Sequence, residues 1–334
     1  MIKIAIHSPN FSDGTSFYRV QGPLSELRKE GGIDVCFFSK WDAASISLAD
    51  ILFLQRPYSA DAVQVAQLAK LVGVKIWMDT DDDTTAVGTS HPFAYLYNSF
   101  DTKANVRSCL ALADKVTVST EHLKTVMQDL CKTADITVIP NAVNFNIPFV
   151  KSSGVYREGA RNNTVLYRGS SSHEKDVLEV AVELIDALRE FPTFRFDARG
   201  YLPWFVVDPL PQTQWSFTPW CEPHIYFQKL IESRALVVVH PLENVKFNLS
   251  KSNCSWLEST LAGCVFITRN LPEFQRPGAV LYDTPEQFKE LLVQTLRGEH
   301  SQKPKESLEY IREHCSLEKA NLLRKELIYG LASR

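Results

Sequence analysis

HPLENVKFNLSKSNCSWLESTLAGCVFIT, residues His240 to Thr268, is the stretch on which the reading of the chain turns. An apolar run over Leu236 to His240 predicts a buried strand, and a polar loop follows it. The pattern then predicts a helix that opens near Ser250 or Ser252 and closes at Gly263, and a second apolar strand over Cys264 to Thr268. Lys251 and Glu258 are seven residues apart. At about 100° per residue they complete nearly two turns, so both would project from one helix face. Lys251 would sit at the positive helix end, where backbone N–H groups lack partners, with Ser252 beside it. Such an end suits a diphosphate, and Glu258 two turns deeper suits a ribose. A Glu258 buried against Ala262 and Gly263 needs donors, which ribose hydroxyls would supply. The alternative is a solvent-facing Glu258 and a surface Lys251.

The same alternation of strand and helix runs outward in both directions. Toward the N-terminus, strands are predicted over Lys3 to His7, Ile33 to Phe38, Asp50 to Gln55, Lys75 to Asp79, Lys115 to Val118 and Ile136 to Ile139. Helical periodicity separates them over Tyr18 to Lys29, Ala60 to Leu71, Lys103 to Ala113 and Thr120 to Cys131. Asn144 to Asn163 lacks a period and reads as a linker. A second series begins with strand Thr164 to Tyr167, helix Glu174 to Glu190 and strand Thr193 to Ala198. Tyr201 to Trp220 shows no helical pattern; a helix over Glu222 to Ser233 follows. Beyond the opening stretch come a strand near Val280 and helical segments over Pro285 to Arg297 and Lys305 to Leu331. Repeated βα units imply parallel sheets covered on both faces. The expected class is α/β, with two doubly wound Rossmann-like domains facing a central cleft. Residues 1–144 form the first domain, 145–163 the linker and 164–315 the second domain. A terminal helix, 316–334, is expected to pack back on the first domain.

The bulk of the chain agrees with this. Its 334 residues exceed one ordinary core, and 45% apolar with 22% charged residues is typical of globular proteins. No apolar run reaches about 18 residues, so no membrane span is expected. The seven cysteines, an odd number without a CxxC pair, read as reduced thiols of a cytoplasmic protein. A net charge of −3 gives no global pull toward nucleic acid, though a local groove of Arg28, Lys29, Arg56, Lys103 and Arg107 would fit one.

Open α/β sheets bind ligands at the carboxyl ends of their strands. Three further polar clusters fall there. Ser8 to Arg19 follows the first strand; Gly14 would let a ligand approach backbone N–H groups and Arg19 would reach an anion, unless the segment is a capped connection. No GxGxxG is present, so the dinucleotide fingerprint is absent. Asp79, Asp81, Asp82 and Asp83 crowd four carboxylates into five residues. A divalent metal, a set of acceptors for substrate hydroxyls, or a solvated acidic turn would each account for them. Tyr167 to Asp176, YRGSSSHEKD, brings Arg168 and Lys175 toward one helix start, next to Gly169 and Ser170. Cations there oppose the helix dipole, so either an anion or a local carboxylate partner is implied. His173 and His240 read as packing residues.

Taken in order, these clusters resemble the GT-B nucleotide-sugar glycosyltransferases, within them the retaining group marked by Glu-x7-Glu. VIPNAV, Val138 to Val143, is similar to that group's ViPNGv segment, and TVSTEHL, Thr117 to Leu123, to the strand-to-helix step before it. The resemblance implies that Arg168 and Lys175 hold the donor phosphates, that Glu258 holds the ribose, and that the base lies near Phe217 to Trp220. The first Glu of the pair falls on Ser250, which departs from the pattern. FNLSKSNCSWLE and MDTDDD look more like phage-encoded enzymes, some of which glycosylate hydroxymethylated bases in DNA.

The resemblance implies transfer of a sugar from a UDP-sugar to an acceptor hydroxyl, with retention and without a bound metal or other cofactor. Asp79 or Asp81 would orient the acceptor, or one of them would be the general base if the reaction inverts, and Arg19, Asp82 and His91 would contact it. A modified DNA base is one acceptor; a glycan, lipid or protein is another, and a nucleotide-sugar epimerase on the same scaffold is the competing enzyme class.

Overall fold

A computed structural model describes residues 1–38, 40–87, 94–97, 99–147, 150 and 160–333. Twelve strands form two six-stranded parallel sheets. The first comprises β1 (Ile2–His7), β2 (Ile33–Cys36), β3 (Ile51–Gln55), β4 (Lys75–Thr80), β5 (Lys115–Val118) and β6 (Ile136–Val138), in the order β2-β1-β3-β4-β5-β6. The second comprises β7 (Asn162–Gly169), β8 (Arg195–Gly200), β9 (Trp215–Pro219), β10 (Ala235–His240), β11 (Val265–Arg269) and β12 (Ala279–Tyr282), in the order β12-β11-β10-β7-β8-β9. Every strand pair is parallel. The two Rossmann-like units expected from the alternating pattern are therefore present.

Burial explains why these runs are strands. β3 is buried at all five positions, as a central strand covered on both faces must be. Helices begin where a short polar side chain accepts an orphan N–H. Ser59 caps Ala60–Leu71, Thr120 caps Glu121–Leu130 and Thr284 caps Pro285–Leu296.

In each sheet the strand order reverses once, between β1 and β3 and between β7 and β10. Such reversals open a crevice beyond the carboxyl ends of the strands. The terminal helix Leu317–Ala332 packs on the first unit, with Ile328 and Leu331 joining the core of Ile4, Val20, Leu24 and Phe53. Leu317 donates to the Val143 carbonyl and Val143 to that of Cys315, which anchors the return.

Several elements differ from expectation. The helix predicted over Glu174 to Glu190 is two, Glu174–Leu178 and Ala181–Glu190, because Val180 leaves helical geometry while staying buried with Val177. The segment predicted over Lys305 to Leu331 breaks at Cys315 and Ser316, where Ser316 caps the last helix. β9 falls where no element was assigned. It is an edge strand with half-exposed residues and a terminal proline, so it lacks the apolar alternation of an inner strand. The first helix contains a wide turn, Phe17–Gln21, that is closed at Gly22. A Cβ on Gly22 would lie 2.7 Å from the Phe17 carbonyl oxygen, so the bulge depends on that glycine.

Candidate functional site

A cavity of about 480 Å³ opens at the reversal point of the second sheet. Its floor is the carboxyl ends of β7, β8, β9 and β10, contributing Arg168, Gly169, Arg199, Thr218 and His240 among others. Gly14, Phe17 and Tyr18 close it from the first unit. The close approach of β7 and β8 at the floor requires a glycine. Gly200 has φ +83°, and a Cβ there would meet the Gly169 carbonyl oxygen at 2.4 Å.

Glu258 stands at the inner end of the cavity, on the helix Cys254–Leu261, and is buried. Its Oε1 accepts a hydrogen bond of 2.9 Å from Tyr18 Oη, across the cleft. Its Oε2 lies 3.0 Å from Arg168 Nη2, an ion-pair distance, but outside hydrogen-bond alignment. Arg168 Nη2 instead donates to Ser255 Oγ at 2.6 Å, and its guanidinium lies over the Tyr226 ring. The expectation that Glu258 would lack a protein partner is corrected: the local carboxylate anticipated as an alternative for Arg168 is Glu258 itself. Burial opposes the Arg168 charge, but Glu258 raises its pKa further above the ordinary value.

Three buried polar atoms around this cavity have no hydrogen-bond partner: Glu258 Oε2, Arg199 Nη1 and Tyr226 Oη. Arg199 is held by Asp197, which accepts from both Nε (3.0 Å) and Nη2 (2.8 Å), so Nη1 alone is left over. A buried polar atom without a partner is costly. One carboxylate oxygen, one guanidinium nitrogen and one hydroxyl of the cavity lining thus make no hydrogen bond within the protein.

The lysines fall elsewhere. The helix opens at Cys254, later than predicted, after a separate short helix over Lys246–Leu249. Lys251 lies in the connection, so the seven-residue helical phase does not govern it. Its Nζ is 3.3 Å from Asp82 Oδ1 and 4.2 Å from the Phe247 ring centroid. Lys175 is exposed and does not line the cavity. Ser252 accepts from Asn141 Nδ2 at 2.9 Å, a second contact between the two units. Ser250, where the first Glu of the motif would fall, is fully buried with its hydroxyl unpartnered.

The acidic cluster is neutralised by protein groups. Asp79 is buried and forms a two-pronged pair with Arg19, at 3.0 Å and 2.6 Å. Arg19 also donates to the Ile139 carbonyl (2.6 Å) and Asn141 Oδ1 (3.1 Å). Neither Arg19 nor Asp79 lines the cavity. Asp81 accepts from Arg56 Nε (2.7 Å) and Thr15 (3.0 Å), and Asp82 from Arg56 Nη2 (2.9 Å). Asp83 caps Thr85. Burial next to Asp82 raises the Asp81 pKa; Lys251 and Arg56 lower that of Asp82 despite its burial. Asp79, Asp81, Asp82 and Arg19, expected to face the acceptor, are thus engaged with protein groups and lie outside the residues that line this cavity. Arg56 reaches this cluster from a backbone with φ 45°, a strained geometry for a non-glycine residue.

Of the other expected contacts, Gly14, Gly169, Ser170 and Trp220 line the cavity, and Trp220 is 64% exposed at its rim. Phe217 is half-exposed and outside the lining. His91 lies outside the described residues. Of the five cations considered for a nucleic-acid groove, Arg28, Lys29 and Arg56 pair with acidic groups. Sequence reasoning missed Tyr18, Arg199, Tyr226 and the cavity-lining position of His173 and His240. For all but Tyr18 the one available signal was position, near the end of a strand or the start of a helix. The seven cysteines form no disulfide, and among the described residues no helix is long and apolar enough to cross a membrane.

No family model and no curated protein matches the chain. Solved structures do. Sucrose-phosphate synthase from Thermosynechococcus elongatus superposes with a TM-score of 0.69 at 13% identity, covering 100% of both chains. Anabaena HepE in complex with UDP gives 0.66 at 13% identity, covering 98% of this chain and 99% of that one. A glycosyltransferase from Rickettsia africae ESF-5 gives 0.65 at 12% identity, covering 99% and 98%. At this identity the likeness concerns the fold, and the chain has the two-unit GT-B architecture.

Proposed function

We propose that this protein is a glycosyltransferase that moves a sugar from a UDP-sugar to an acceptor hydroxyl. The observation that carries the reading is the convergence of Glu258 Oε2, Arg199 Nη1 and Tyr226 Oη, all without a hydrogen-bond partner, on one cavity beside Arg168. Glu258 would receive the ribose hydroxyls, and the exposed face of Trp220 would meet the base. Arg168, with the N–H groups opening the helix at Cys254, would face the diphosphate. The fold likeness to a protein whose structure holds UDP points the same way.

The demanding step is cleavage of the sugar–phosphate bond, as negative charge grows on the leaving diphosphate. Fixed donors in a closed cleft stabilise that charge without reorganising. Glu258 is the one carboxylate among the described cavity-lining residues, and it is engaged by Tyr18 and Arg168. A site with no unengaged carboxylate favours retention, in which the departing diphosphate takes the acceptor proton. We propose a metal-independent reaction, since Asp79, Asp81, Asp82 and Asp83 already serve protein donors.

The test is calorimetric titration with UDP-sugars, followed by transfer assays on glycan, lipid, protein and hydroxymethylated-DNA acceptors. The last of these carries forward the phage-like sequence pattern. Arg168→Ala and Glu258→Ala are each expected to abolish transfer while circular dichroism stays native. Interconversion of a UDP-sugar without any acceptor would identify an epimerase instead. Undiminished turnover in either variant would remove the site from this cavity.

A further inference from the structure

The diphosphate expected in this cavity needs cations, and those expected from sequence are committed or distant. Lys251 is tied to Asp82, and Lys175 is outside the lining. Arg168 faces Glu258, and Arg199 faces Asp197. His173 stands differently. It closes the Ser171–His173 turn that follows β7, and it lines the cavity together with Gly169, Ser170 and Ser171.

Its ring is fixed from behind. Asp176 Oδ2 lies 2.7 Å from His173 Nδ1. Asp176 is itself 4% exposed, and its Oδ1 accepts from the Glu243 N–H and from Asn248 Nδ2, both at 2.8 Å. A carboxylate so held accepts a proton-bearing Nδ1, which leaves Nε2 as the variable nitrogen. A neutral Nε2 is an acceptor and repels a phosphate oxygen; a protonated one donates to it. A phosphate at this point therefore requires the imidazolium.

We propose that His173 meets the leaving diphosphate beside Arg168, and that it takes up a proton when the donor binds. The proposal rests on the glycosyltransferase reading above. The groups that face the ring are Asp176 on its own helix, Arg168 on β7, His240 at 6.3 Å on β10, Lys251 ahead of the Glu258 helix, and Asp82 from the first unit. In the protein alone, burial above all holds His173 below its ordinary pKa, Lys251 and Arg168 add to this, and Asp176 opposes it. A bound diphosphate places negative charge against the same ring and raises it. The bound pKa then exceeds the free one. Affinity is highest below the free value and declines as pH rises through the bound value.

UDP-glucose is the appropriate probe, because its diphosphate is esterified at both ends and has no proton to exchange near neutrality. Calorimetry at pH 7 in buffers of different ionisation enthalpy reads the proton uptake. Wild-type protein is expected to take up close to one proton per site, with Kd falling by up to about tenfold per pH unit on acidification. His173→Gln should bind more weakly, take up none and show a flat pH profile, whereas His240→Gln should retain the uptake. Binding of UDP-glucose by wild type without proton uptake, or undiminished uptake in His173→Gln, overturns the proposal and leaves the function standing. No binding of UDP-glucose by wild type removes both.

Discussion

Lys251 Nζ stands 3.3 Å from Asp82 Oδ1, joining the segment ahead of the Glu258 helix to the loop beyond β4. A cation that the sequence assigned to a phosphate is thus a tie between the two units. Both side chains keep about a fifth of their exposure, so the pair is screened and its worth modest. Lys251→Met is expected to weaken UDP binding less than about fivefold, in keeping with a contribution of up to about 1 kcal/mol. Arg168→Met should cost at least about a hundredfold, as loss of a charged contact in a closed site does. Equal losses in the two variants, read by calorimetry, would return Lys251 to the diphosphate.

Tyr18 occupies Glu258 Oε1, and a ribose diol would engage both carboxylate oxygens. The hydroxyl of Tyr18 then competes with the nucleotide. Tyr18→Phe should bind UDP more tightly, by about five- to tenfold, as expected for removal of a competing hydrogen bond to a charged group. Weaker binding in this variant would make Tyr18 part of the ligand site.

Arg19 and Asp79 form an ion pair that is almost wholly buried. Removing one partner strands the other charge, which typically costs about 3–5 kcal/mol. Arg19→Met is therefore expected to lower the urea midpoint strongly, and Asp79→Asn to do so less, since the amide keeps one acceptor. A variant of Asp79 that stays fully stable yet loses transfer would restore the catalytic role first expected of it.

Asp114 accepts from the Ile76 N–H at 2.8 Å and from Lys70 at 2.9 Å. Burial opposes its ionisation, but these two contacts outweigh it and hold the carboxyl below 3.8. The folded pKa is thus depressed. The stabilisation is fully present above the unfolded value and is lost as pH falls through the folded one. Asp114→Asn should be less stable than wild type at pH 7, and the gap should close on acidification below that range. A gap independent of pH would assign the effect to hydrogen bonding alone.

The architecture was legible because β3, β4, β7 and β10 are buried apolar runs spaced by amphipathic helices, and burial on both faces leaves a pattern no other class shares. Arg168 was legible as a candidate because it sits at a strand end, and Glu258 because of its motif position on the helix that follows β10; both line the cavity. The protein partners of Lys251 and the aspartates could not be read from sequence, because ion pairs spanning 25 to 169 residues, such as Arg56–Asp81, Arg19–Asp79 and Lys251–Asp82, leave no local trace. Tyr18 was invisible because its aim depends on the wide turn at Phe17–Gln21, which has no sequence period of its own. β9 escaped because an edge strand needs no apolar alternation.

A crystal structure of the complex with UDP is the decisive experiment. Ribose hydroxyls are expected on Glu258, the diphosphate between Arg168 and His173, and the uracil toward Trp220. Nucleotide density away from Glu258, or a diphosphate held by Lys175 or Lys251 instead, would contradict that placement.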